Sequence, residues 1–185
     1  MPFAYDTEAN LAFTCALVNS TGGTSNGSAD GLSDIDDLAR MLDEHDFSGR
    51  RDLDATELAE VRALRPEFRH LWEVDRDEAV QLVNRILREA QALPQLVRHD
   101  DWDWHLHATE SGAPLATRMR VEVAMAFIDI IRADDFDRLR ICEASDCDAV
   151  LVDLSRNRSK RYCDIGNCGN RMNVLAYRAR QAADA

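Results

Sequence analysis

Apolar residues recur at helical spacing through the first two thirds of the chain, and the acidic residues between them mark where helices begin. Ile35, Leu38, Ala39 and Leu42 form one stripe behind a start at Ser33 and Asp36. Asp54 and Glu57 open a second, carried by Leu58, Val61, Leu64, Phe68 and Leu71, in which Pro66 is expected to kink or split the helix because it lacks a backbone N–H. A third is predicted over about 77–92 through Val80, Val83, Ile86, Leu87 and Ala90. Residues 115–133, with Met119, Val123, Phe127, Ile130 and Ile131, are apolar on more than one face and predict a central helix.

Three stretches break this rhythm. Residues 102–108 alternate apolar and polar, which predicts a strand with Trp102, Trp104 and Leu106 inward and His105 and His107 on the polar face beside Asp101 and Asp103. Residues 109–114 then turn the chain. Residues 20–31 hold no apolar side chain larger than alanine and read as a flexible loop, and residues 134–137 read as a hinge. The resulting fold class is mainly α: a helical domain with a small strand or hairpin element over 1–137, and a small ββα-like metal-binding lobe over 138–185.

Composition adds a division of charge. The 185 residues are 45% hydrophobic, which is ordinary for a globular chain, and carry a net charge of −12. Residues 138–185 hold nine Lys or Arg against six Asp or Glu, so they are +3 while residues 1–137 are −15. A zinc ion on four thiolates adds −2 and leaves the lobe near +1, so a basic surface there depends on placement. No run reaches the roughly 18 apolar residues of a membrane span, and the first residues lack a signal-peptide pattern. The expected location is the cytoplasm, with no membrane partner.

The last quarter carries the chemistry. Cys142 and Cys147 enclose four residues, Cys163 and Cys168 enclose four more, and fifteen separate the pairs. Two pairs of soft ligands suit tetrahedral zinc, and four protein sulfurs leave no open position for a catalytic water. An iron–sulfur cluster or redox thiols are the alternatives. Cys15, the fifth cysteine, lies in an apolar run and reads as a buried small hydrophobe. Between the pairs, residues 149–152 are a strand candidate, followed by Arg156, Arg158, Lys160 and Arg161 with Ser and Asn interleaved. That mixture suits phosphate contacts, and a solvated basic loop looks the same.

After Cys168, Asn170 is a candidate cap for a helix over 171 to about 182. Met172, Leu175, Ala176 and Ala179 fall on one face and are expected to pack on the metal lobe. The opposite face presents Asn173, Val174, Tyr177 and Gln181 between Arg171, Arg178 and Arg180. Such a face can enter a major groove. It can equally dock on the first domain or on a second subunit.

The segment 138–181 resembles the CGNR zinc finger family, named for the Cys168-Gly169-Asn170-Arg171 tetrapeptide, and the match extends through Cys142, Cys147, Asp153, Ser155-Arg156-Asn157, Arg161, Cys163, Arg178 and Arg180. Asn173 departs from a common lysine, and Tyr162 stands where tryptophan is usual. The preceding part looks like the helical ABATE domain that accompanies this finger, through residues 17–21, Asp37-Leu38-Ala39 and the long helix before Cys142. The resemblance implies a bacterial transcription regulator that binds DNA through Arg156, Arg158, Lys160, Arg161, Asn170, Arg171, Asn173, Tyr177, Arg178 and Arg180. Its helical domain would sense a small-molecule or protein ligand, and a homodimer is compatible with it. The second reading is a zinc-stabilised interaction adaptor without direct DNA binding. An enzyme is the third class, resting on His105, His107, Asp101 and Asp103, and the expectation is that there is none. Any small-molecule pocket is expected around Trp102 and Trp104.

Overall fold

The computed structural model describes residues 3–25, 27–99 and 102–183. It is mainly α, as expected. Among the described residues six α-helices run in chain order: α1 (Tyr5–Asn19), α2 (Ile35–Glu44), α3 (Ala55–His70), α4 (Arg76–Glu89), α5 (Leu115–Arg132) and α6 (Cys168–Ala183). Two antiparallel hairpins interrupt them, β1 (Gln95–His99) with β2 (Trp102–His107), and β3 (Leu139–Ile141) with β4 (Val150–Val152).

Aspartate caps set the helix starts. Asp34, Asp54 and Asp75 each accept from the backbone N–H three residues on, at 2.8–2.9 Å, satisfying a donor the first turn leaves open. At α3 the buried Glu57 reaches back to the N–H groups of Asp52 and Leu53, which ties the chain ahead of the cap to the first turn. The start of α2 is thus Asp34 and not Ser33. Pro66 does not split α3, which runs on to His70. Leu64 and Phe68 are buried on either side of the proline, and their packing holds the helix across one missing hydrogen bond.

The central helix is α5. It packs on α1, α3 and α4, and Met119, Val123, Ala124, Phe127 and Ile130 are fully buried. Trp72 meets Phe127 edge-on at 5.5 Å, and Phe13 lies 5.2 Å from Phe47. Val150 and Val152 of β4 belong to this same core. The C-terminal lobe therefore contributes apolar residues to the helical body.

The segment expected to be a hinge leads into a 3₁₀ turn, Phe136–Arg138, in which Arg138 is buried. Asp135 is 7% exposed and forms ion pairs with Arg138 at 2.9 Å and with Arg158. Arg138 also donates to the carbonyl oxygens of Asp153 and Ser155. Burying a paired carboxylate here fixes the chain where a hinge would need it loose.

Candidate metal centre and nucleic-acid interface

The two cysteine pairs converge. The sulfurs of Cys142, Cys147, Cys163 and Cys168 all lie within 4.8 Å of one another, and Cys163 Sγ is 3.6 Å from those of both Cys147 and Cys168. Tetrahedral zinc with Zn–S near 2.3 Å sets its sulfurs about 3.8 Å apart, whereas a disulfide needs about 2.0 Å. The spacing fits a metal and excludes a bridge.

Backbone donors complete the fit. Cys142 Sγ accepts from the Cys163 N–H at 3.4 Å and from Ala144, and Cys163 accepts from Ile165 and Gly166. Burial would raise the Cys168 thiol, but donation by Arg171 and Ser25 outweighs it and brings the group down to about 7. These donors favour thiolate, the ligating form, while burial prevails at the other two and raises Cys142 and, to about 12, Cys163.

A segment of the first domain closes over the cysteines. Residues 20–31, expected to be flexible, bring Thr24 and Ser25 to 7% and 4% exposure. Ser25 forms a β-bridge with Cys147, the Asp148 N–H donates to the Thr24 carbonyl at 3.0 Å, and Ser25 Oγ lies 3.8 Å from Cys168 Sγ. Arg65 anchors the segment by a two-pronged pair with Asp30 at 2.8 and 2.9 Å. A low content of apolar residues misled the sequence reading, because the loop is held by backbone and hydroxyl hydrogen bonds instead.

Three further side chains fix β4 and the residues just before it to the body. Asn19 bonds both backbone groups of Val150, Trp72 Nε1 donates to the Leu151 carbonyl at 3.0 Å, and Arg69 donates to that of Asp148 at 2.6 Å.

Within the basic loop, Asp153 is the organiser. It is fully buried and accepts from the N–H groups of Ser155 and Lys160 at 2.9 and 2.8 Å, and from the Ser155 hydroxyl. Burial would raise its carboxyl, but those donors hold it below the ordinary aspartate range. The Asp153-x-Ser155 motif is therefore a loop clamp.

Most of the loop's cations are committed. Arg158 pairs with Asp137 and Asp135, Lys160 with Asp164 at 2.6 Å, and Arg161 with Glu143 while stacking on Tyr162 at 5.6 Å. Arg171 sits under the metal site, donating to Cys168 Sγ at 3.1 Å and to the Gly166 carbonyl at 2.9 Å, and pairing with Asp146. It holds scaffold, with few donors left for a ligand. Among the described residues, Arg156, Arg178 and Arg180 form no ion pair.

Helix α6 starts at Cys168, so Asn170 lies in its first turn and does not cap it. Met172 packs on the cysteine cluster, but Leu175 is 54% exposed and Ala176 and Ala179 are exposed as well. The expected apolar face therefore does not pack on the lobe beyond Met172, because the lobe is too short to reach under the later turns. Asn173 and every residue from it to Ala183 are exposed, including Tyr177, Arg178 and Arg180. The acidic first domain does not cover this face.

The first hairpin is inverted relative to expectation. Trp104 is 59% and Leu106 39% exposed, while His105 is 7% exposed. Asp101 and the side chain of Trp102 lie outside the described residues. The strand β1 was not foreseen, and its register places His99 on the same face as His105 and His107. That face, and not the tryptophan face, lines a cavity of about 740 Å³ with Asn10, Arg118 and Glu122. Burial there raises the Glu122 carboxyl to about 7, and burial with its two histidine neighbours lowers His107 to about 4. Cys15 is partly buried rather than fully so, and burial raises its thiol to about 12.

No helix among the described residues is long and apolar enough to cross a membrane. No curated protein is detectably similar to the chain. Two family models match it: "Putative stress-induced transcription regulator" over residues 11–134 and "CGNR zinc finger" over residues 138–181. The chain belongs to the ABATE family and carries a CGNR zinc finger.

Proposed function

We propose that the protein is a DNA-binding transcription regulator, not an enzyme, in which zinc on Cys142, Cys147, Cys163 and Cys168 shapes the lobe and α6 reads DNA. The observation that carries this reading is the exposed face of α6, where Asn173 and Tyr177 stand between Arg178 and Arg180, neither of which pairs with a carboxylate among the described residues. Arg156, without an ion pair among the described residues, adds a third cation on the adjoining loop. Amide and aromatic groups flanked by arginines suit base edges and phosphates respectively. Arg161 and Lys160 join by exchanging exposed carboxylate partners for phosphate, a small cost because such surface pairs contribute about 0–1 kcal/mol. Arg158 and Arg171 act through the scaffold.

Anisotropy of labelled genomic fragments across a salt series tests it. Affinity should fall steeply with salt, and Arg178→Ala with Arg180→Ala should reduce the salt slope by about 2, one unit for each lost phosphate contact. Binding that ignores salt, or survives the double variant unchanged, refutes it. The adaptor reading rests on Val174, Leu175 and Tyr177, which are 41%, 54% and 58% exposed on the same helix. Loss of protein partners and not of DNA in the Tyr177→Ala variant would favour that alternative.

A further inference from the structure

The three histidines of the first hairpin share more than a face. Nε2 of His107 is 2.9 Å from Nε2 of His105 and 3.2 Å from Nε2 of His99. Their ligand nitrogens all fall within 4.8 Å of one another. Tetrahedral coordination at about 2.0–2.1 Å places neighbouring nitrogens about 3.3–3.4 Å apart, so little movement would seat an ion among them.

The outer partners set the tautomers. His105 Nδ1 lies 2.7 Å from the carbonyl oxygen of Asp103. A carbonyl only accepts, so Nδ1 carries the proton, and in a neutral ring Nε2 then holds a lone pair. His107 Nδ1 faces the Glu122 carboxylate at 3.4 Å. In the tautomer that carries its proton on Nδ1, beside Glu122, His107 too turns a lone pair inward. Two lone pairs 2.9 Å apart repel unless a cation lies between them. A carbonyl behind one ligating histidine and a carboxylate behind another are the supports that orient imidazoles on metals.

We propose that His99, His105 and His107 form a second metal site in the helical domain, taking a borderline first-row dication such as Zn²⁺ or Co²⁺. The donor set is all imidazole, which suits this class over calcium or magnesium. Three protein ligands leave a fourth position toward the cavity, for water or a small oxygen donor. The site differs in kind from the four-cysteine centre, which is closed.

Metal content decides the matter. The full chain, saturated with Zn²⁺ and freed of excess, should retain two equivalents by plasma mass spectrometry, and His105→Gln with His107→Gln should retain one. With Co²⁺, the sulfur-to-metal charge-transfer bands should persist in that variant while part of the ligand-field absorption is lost. His99→Ala, at a partly buried position, gives the same reading if the double variant fails to fold. One equivalent in the unaltered chain overturns the proposal, as do two equivalents in a folded histidine variant. The first would mean the rings are joined by hydrogen bonds alone.

Discussion

The side-chain amide of Asn19 closes both hydrogen bonds of Val150, accepting from its N–H and donating to its carbonyl oxygen at 2.8 Å each. The last residue of α1 thereby behaves as a neighbouring strand to β4 and joins the helical body to the metal lobe. Asn19→Ala would leave two buried backbone groups without partners, at a cost of about 3 kcal/mol. Urea unfolding followed by circular dichroism and by zinc release should show both transitions moving together to lower urea. Zinc release that moves alone would mean the lobe unfolds as a separate unit.

Gly166 tests the closure over the cysteines. A Cβ there would collide with Ser25 Oγ and press on Cys168 Sγ at 3.1 Å. Gly166→Ala is expected to weaken zinc affinity about ten-fold in chelator competition, the lower end of what outer supports of a metal contribute. Ser25→Gly in the same chain should recover part of that loss. Equal affinities for the single and double variants would show that the loop does not bear on the metal.

Asp153 separates scaffold from contact. Asp153→Ala removes the acceptor for the Ser155 and Lys160 N–H groups, so the loop that carries Arg156 loses its shape. DNA affinity should fall several-fold although no proposed contact is altered. An unchanged affinity would place the reading surface on α6 alone.

The pair of Asp30 and Arg65 sets a pH dependence. The hydrogen bond from Arg65 holds the Asp30 carboxyl below its ordinary value. A depressed carboxyl contributes stability that is complete above the unfolded pKa of about 3.9 and is lost as pH falls through the lower folded value. The stability difference between the unaltered chain and Asp30→Asn should therefore be level from pH 5 to 8, to within about 0.5 kcal/mol, and shrink below about pH 4. A difference that grows on acidification would contradict the pairing.

Legibility in the sequence followed the kind of force at work. The cysteine spacing, the cap at Asp54 and the packing of α5 were readable because local chemistry and apolar period determine them. Helix α3 passes Pro66 because burial of Phe68 outweighs local propensity, which a local reading cannot weigh. The hairpin face was misread because apolar alternation pointed Trp104 inward, whereas the cavity takes the histidines. Residues 95–99 gave no such signal, because Leu96 and Val97 are adjacent and Gln95, Arg98 and His99 are polar; only their pairing with 102–107 sets all three histidines on one side. Arg158 and Arg161 of the basic loop looked free because their carboxylate partners, Asp137 and Glu143, lie about twenty residues away in sequence.

Selection of bound fragments from a random DNA pool by the zinc-loaded full chain tests most directly whether α6 reads DNA. A recurring sequence should be enriched, and its enrichment should vanish in a chain carrying Asn173→Ala and Tyr177→Ala while zinc content and thermal stability hold. A pool without enrichment, or the same enriched sequence from that variant, would contradict it.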